Sequence, residues 1–202
     1  MKLVSIDIET TGLNYGQEFV HPCQILEFAA VCFDPQPSLV NEDGSANKGG
    51  DRRWTTFEAL VSHTSICGEA YALSMHNEIL LELAGRKKPL RGMPIYKGEV
   101  ELVREFGVWL AEQGFNSDNK AFIVGKNFAK FDDRFLEKIP GWSRLPFQRR
   151  MLDPGSLCFN PADGGILNLQ RCLEKVGIRK DVGHRALEDA LDVATVVSRF
   201  FA

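Results

Sequence analysis

Asp7 and Glu9 lie two residues apart in "LVSIDIETTGL" (residues 3–13), an otherwise apolar run that reads as a β-strand. Side chains alternate along a strand, so both carboxylates leave it on one face, with Ser5, opposite Val4, Ile6 and Ile8. Two uses fit such a pair: a face turned to water, or a set of oxygen ligands. The Thr10-Thr11-Gly12 that follows ends the strand in a turn where backbone can approach a ligand closely.

The last helix is expected from about Arg185 to Phe201. With Leu187 at zero and about 100° per residue, Glu188, Asp192, Thr195, Arg199 and Arg185 form a charged face predicted to be solvated. Asp189 falls at roughly 200°, between Val196 and Phe200 on the apolar side. A buried carboxylate without a partner is costly, so Asp189 calls for a metal ion or an arginine, unless the helix start frays and leaves it wet. A shorter helix over 131–139 repeats the pattern. There Asp132 lies among Phe135, Leu136 and Ile139, whereas Asp133 sits beside Glu137 on the solvated side. The plainer reading of Asp132 is a helix-start acid favoured by the macrodipole.

Four acids pointing inward from three separated segments repel one another unless a cation lies among them. All-carboxylate donor sets suit Mg²⁺ or Mn²⁺, and no Cys/His spacing supports zinc. Two such ions about 3.5–4 Å apart activate a water and stabilise a leaving oxygen in phosphoryl chemistry. His184 follows Gly183 and precedes Asp189 by five positions, at the mouth of the last helix. An imidazole titrates near neutrality and suits deprotonation of an attacking water. The competing reading is a turn histidine with no chemical role.

The elements that must position these residues follow from periodicity. Strands are expected over 2–9, 24–34 and 53–61, with the polar, Gly-rich 41–50 as a mobile hairpin tip. Helices follow over 72–84 and 98–114, a short strand over 121–127 and a fifth strand within 149–159. A helix over 167–178 closes at Gly177, where a left-handed cap is cheapest. Three successive strands followed by alternating helices and strands predict one mixed α/β domain over 1–202.

Composition bounds the function. The chain has 202 residues, 44% of them hydrophobic, and a net charge of −3. That argues against an abundant non-specific nucleic-acid binder and leaves room for a local basic strip. Arg86, Lys87, Lys88 and Arg91 form one basic run, either a solvated loop or a patch that guides a strand. Five cysteines without a CxxC argue against a disulfide framework and point to a reducing compartment such as the cytoplasm. No apolar stretch is long enough to span a membrane, and Asp7 and Glu9 break the first one, so it does not read as a signal peptide.

"DIETTGL", "VGKNFAKFD" and "HRALEDA", in that order, resemble the three exonuclease motifs of the DnaQ-like, DEDDh-type 3′→5′ exonucleases of the ribonuclease H-like superfamily. The resemblance runs from Asp7 to Asp189 and implies a five-stranded mixed sheet, three antiparallel strands then parallel ones, flanked by helices. It implies that Asp7, Glu9 and Asp189 bind a first Mg²⁺ or Mn²⁺, that Asp7 bridges to a second, that Asp132 supports the second, and that His184 is the general base. It further implies that Thr10, Gly12 and Leu13 cradle the terminal nucleotide, with Leu13 against a base, and that His76 in "ALSMHNEIL" matches a substrate-contacting position. The implied substrate is a single-stranded 3′ end of DNA or RNA, released as nucleoside 5′-monophosphates. A second copy of the chain or a polymerase is an implied partner, and the net charge favours short substrates or a partner that delivers the strand.

The sequence departs from the family at Lys126, where a histidine often precedes the asparagine; this is expected to change phosphate contacts and to spare catalysis. Phe128 and Lys130 read equally as strand contacts and as a buried ring beside a solvated amine. Two rival functions remain: a non-catalytic or partner-dependent binding module on the same fold, and a different metal-dependent phosphoryl hydrolase with Asp7 as nucleophile. Binding alone would not need four clustered carboxylates. An aspartyl-phosphate enzyme would favour a second Asp at position 9, and no matching lysine motif is present.

Overall fold

"ILEFAAVCF" is apolar except for Glu27, and it forms strand β2 (Ile25–Phe33), every residue of which is buried. A strand buried throughout needs cover on both faces of its sheet. The computed structural model describes residues 1–15, 22–35, 54–178 and 183–201, and it supplies that cover. β1 (Leu3–Thr10) and β3 (Thr55–Ser62) flank β2 antiparallel, as the three-strand meander predicts. β4 (Ile95–Lys97) pairs parallel with β3; β5 (Ala121–Val124) and β6 (Phe147–Leu152) extend the other side in parallel. The order is β4-β3-β2-β1-β5-β6, a six-stranded mixed sheet. The strand beyond the expected five is β4, whose three residues are too few to show a period.

Helices α1 (Ala70–Met75) and α2 (Asn77–Leu83) precede β4, and α3 (Glu99–Glu112) follows it. α4 (Asp132–Leu136), α5 (Pro154–Leu157), α6 (Leu169–Lys175) and α7 (Ala186–Phe200) complete the α-helices among the described residues. On one face of the sheet, Val4, Ile6, Ile8 and Phe28 pack with Phe106 and Leu110 of α3. On the other, Leu3, Ala29, Val31 and Phe33 pack with Val193, Ala194 and Val197 of α7.

Four expectations need correction. The helix over 72–84 is two helices that break at His76, which caps both. The fifth predicted strand is confined to 147–152; Asp153 then ends it by capping α5, accepting the Gly155 N–H at 2.6 Å. The charged face of the last helix is solvated only in part: Arg199 is exposed and the Glu188 side chain 41% exposed, but Asp192 is 5% exposed and the Arg185 side chain 15%. α7 packs on β1 and β2 and also against α5 and α6, so more of its circumference is covered than a single-sided wheel assumes. Asp133 is likewise only half exposed, held by a hydrogen bond with Trp142. The expected hairpin tip at 41–50 lies outside the described residues. Among the described residues no helix is long and apolar enough to cross a membrane.

Candidate active site

β1 outruns its parallel neighbour. Pairing with β5 stops at Ser5–Val124, so the edge of β1 beyond Ser5 meets no strand there. Those backbone groups still need partners. α4 fills the gap: Asp132, 3% exposed, accepts the Ile8 N–H through Oδ1 at 3.2 Å. One hydrogen bond thus fixes Asp132 beside the backbone between Asp7 and Glu9. The pairing register with β2 shifts between Glu9 and Thr10, a bulge of the kind that re-aims side chains.

Ser5, Asp7 and Glu9 face α7. The neighbouring Leu3 packs on that helix, and Val4, Ile6 and Ile8 pack on the opposite side. Asp189 lies in the first turn of α7. The structure brings one carboxylate oxygen each of Asp7, Glu9 and Asp189 to within 4.8 Å of one another. Burial raises the Asp7 carboxyl well above the ordinary value, and Asp132, Glu9, Asp189 and Glu27 raise it further by repulsion. Glu9 is also raised well above its ordinary value, first by burial, then by Asp189, Glu27 and Asp132, with Arg185 pulling the other way. Burial lifts Asp132 to about 8. Desolvation and like-charge crowding of this sort are what a bound divalent cation relieves, and an all-oxygen donor set suits Mg²⁺ or Mn²⁺. The residues present therefore fit the metal.

His76, 3% exposed, stands behind Glu9 with Nε2 at 3.3 Å from Oε2. Burial, then the nearby charges of His184 and Arg185, hold its pKa below the ordinary value. His184 is exposed, at φ 50°, just before the start of α7. It is near enough to His76 to act on it electrostatically.

A cavity of about 250 Å³ opens beside these acids, lined by Glu9, Thr10, Gly12, Leu13, Tyr71 and His76 among others. Leu13 is 67% exposed. Thr10 is buried, and its hydroxyl donates to the Gly12 carbonyl at 2.8 Å, closing the turn. Gly12 has φ +148°, and a Cβ there would stand 2.7 Å from Glu69 Cγ and Cδ and 2.8 Å from Cys23 Sγ, so the turn requires glycine.

Phe128 is buried and Lys130 exposed, the plainer of the two readings. Lys126 Nζ lies 3.4 Å from Asp153 Oδ2, which also accepts the Asn127 N–H at 2.8 Å. The basic run is exposed, and it is partly neutralised: Lys87 pairs with Glu78 at 2.9 Å, and Arg91 approaches Glu58 at 3.5 Å and Glu188 at 3.9 Å.

Sequence reasoning missed a buried charge cluster beneath the site. Glu27 pairs across the sheet with Glu9 and is 1% exposed. Arg185 Nε donates to Glu27 Oε2 at 2.9 Å and Nη1 to Glu82 Oε1 at 3.1 Å. Glu27 gave a usable signal, a lone acid in an apolar strand, the same sign that singled out Asp189 on its helix. Glu82 and Glu69 gave none, because their partners are remote in sequence.

No family model and no curated protein matches the chain. Solved structures do. One is a full-length 3′-exonuclease (17% identity, TM-score 0.64, 99% of this chain and 60% of that one). Another is a 3′-exonuclease in specific recognition of the 3′ end of a histone mRNA stem-loop (16% identity, TM-score 0.59, 98% and 62%). A third is E. coli ExoI with single-stranded DNA (14% identity, TM-score 0.52, 96% and 38%). The chain thus spans about three-fifths of the length of the first two. At these identities the likeness is one of architecture, and the chain has the ribonuclease H-like fold of the 3′-exonucleases.

Proposed function

We infer that the chain is a divalent-metal-dependent 3′→5′ exonuclease domain that removes nucleoside 5′-monophosphates from single-stranded ends. The observation that carries this reading is the convergence of Asp7, Glu9 and Asp189 oxygens within 4.8 Å. Asp132 stands next to them on the Ile8 N–H. The fold, shared with nucleases whose structures hold RNA or single-stranded DNA, supports it.

Asp7, Glu9 and Asp189 would hold one cation, and Asp7 with Asp132 would hold a second. When bound, Mg²⁺ or Mn²⁺ supplies Lewis-acid polarisation of water and of the phosphate, and offsets the carboxylate charge. His184 accepts a proton from the attacking water at a ring nitrogen. Its exposed position before α7 lets that proton pass to solvent. The water oxygen bonds to phosphorus, and the bond to the 3′ oxygen of the penultimate nucleotide breaks. Thr10 and Gly12 shape the turn that seats the terminal nucleotide, Leu13 presents an apolar surface to its base, and His76 orients Glu9 from behind.

The test is digestion of matched 5′-labelled single-stranded DNA and RNA with Mg²⁺, Mn²⁺ or chelator. A metal-dependent ladder shortening from the 3′ end is the expected result. Folded protein that binds metal and the strand but leaves both strands intact would replace this reading by a binding module.

A further inference from the structure

The cavity beside Glu9 has two ends of different character. Its inner end is closed, with Glu9 at 8% and His76 at 3% exposure. Its rim carries Leu13, Tyr71 and Met75, which are 67%, 80% and 40% exposed. A nucleotide whose phosphate faces the carboxylates therefore lays its base along this apolar and aromatic rim, where stacking tolerates any base. Its sugar comes to rest between the two ends.

Glu69 lines the same cavity and is half-buried. Its Oε1 is occupied, accepting the Leu13 N–H at 3.1 Å and Asn14 Nδ2 at 2.8 Å. Among the described residues nothing donates to its Oε2, and no lysine or arginine pairs with it. The side chain packs close to the turn, since a Cβ at Gly12 would meet its Cγ and Cδ at 2.7 Å. A carboxylate without a cation repels the phosphates of a nucleic acid, a cost at any surface that receives one. It is well suited to one thing a nucleotide offers away from its phosphate, a hydroxyl donor. The 2′-hydroxyl is also the group that separates RNA from DNA.

We propose that Glu69 accepts a hydrogen bond from the 2′-hydroxyl of the 3′-terminal ribose, so that this site selects RNA ends over DNA ends. The proposal rests on the exonuclease reading above for where the phosphate lies. The stacking rim then leaves base identity unread while the sugar is read. Glu69 does two jobs with two oxygens: Oε1 holds the turn, and Oε2 meets the substrate.

The test compares oligonucleotides identical except for a ribose or a 2′-deoxyribose at the last nucleotide, each with all four terminal bases. A hydrogen bond to a charged acceptor predicts about tenfold higher kcat/KM for the ribose end, or more. Glu69→Gln keeps Oε1 as acceptor for Leu13 and Asn14 and removes the charge, and it is expected to bring the ratio close to one. In parallel, calorimetry with Mg²⁺ compares AMP with 2′-deoxy-AMP, a readout that needs no hydrolysis. AMP should bind about tenfold tighter to the wild type and not to Glu69→Gln. Equal handling of both sugars by the wild type, or a ratio unchanged in Glu69→Gln, overturns the proposal. A preference that follows the base and ignores the sugar assigns Glu69 to a base edge and overturns it as well. Absence of cleavage with a retained, Glu69-dependent preference for AMP would sink the exonuclease reading and keep this one.

Discussion

Asp132 and Asp133 are adjacent acids with different surroundings. Asp132 is buried on the Ile8 N–H, and Asp133 is half-exposed beside Trp142. Asp132→Asn keeps an oxygen for the Ile8 donor, so the fold should survive while a charge that the proposed second cation would need is lost. We expect its kcat to fall by on the order of 100-fold or more, with Asp133→Asn within about threefold of wild type, read by single-turnover digestion. Similar losses in both would break the assignment. The direction of Asp132 is legible in sequence because its apolar neighbours Phe135, Leu136 and Ile139 fix the phase of a short helix. The burial of Asp192 is not, because a wheel supposes one covered face and α7 is covered by sheet and helices together. The contact between His76 and Glu9 joins residues far apart in the chain, and no local pattern announces it.

Among the elements, α7 is the one whose placement decides the site, and Arg185 is its anchor. The guanidinium ties the start of α7 to β2 through Glu27 and to α2 through Glu82, both carboxylates being 1% exposed. His184 precedes this anchor directly, and Asp189 follows one turn later. Arg185→Gln would leave two buried acids without their cation, a loss of about 3–5 kcal/mol by urea unfolding. Arg185→Lys should recover only part of it, since an ammonium cannot span both carboxylates as the planar fork does. A full recovery would show that charge alone matters. The turn after β1 has its own test. Gly12→Ala forces a side chain against Glu69 and Cys23, and we expect KM to rise several-fold more than kcat falls, since the displaced part is the proposed nucleotide seat. The antiparallel meander of β1 to β3 was readable from three strands in succession, whereas β4 and the break at His76 were not, because three residues or one kink carry too little periodicity.

For the whole molecule, the carboxylate cluster links stability to pH and to metal. Asp7, Glu9 and Asp132 have folded-state pKa values above their ordinary ones, 3.8, 4.5 and 3.8. Between the ordinary and the raised value the folded state holds more protons than the unfolded one, so raising the pH through that window costs stability. For Asp132 the window runs from 3.8 to about 8. Chelated protein should therefore melt at a higher temperature at pH 5 than at pH 8. Saturating Mg²⁺ or Mn²⁺ should reverse the order, adding about 5–10 °C at pH 8 and much less at pH 5. Calorimetry in chelator and in metal checks this; a metal effect of the same size at both pH values would count against a cation among these acids.

The order of the acids along the chain also sets when the site can exist during synthesis. Asp7 and Glu9 leave the ribosome before Asp189, on a strand inside the sheet, and Asp189 follows on the helix that covers it. Until that helix arrives, the nascent chain exposes the apolar face of Leu3, Ala29, Val31 and Phe33 and holds only part of its ligand set. The central strands are thus made before Asp189, so the three-carboxylate cluster can assemble only once that helix has docked on the sheet.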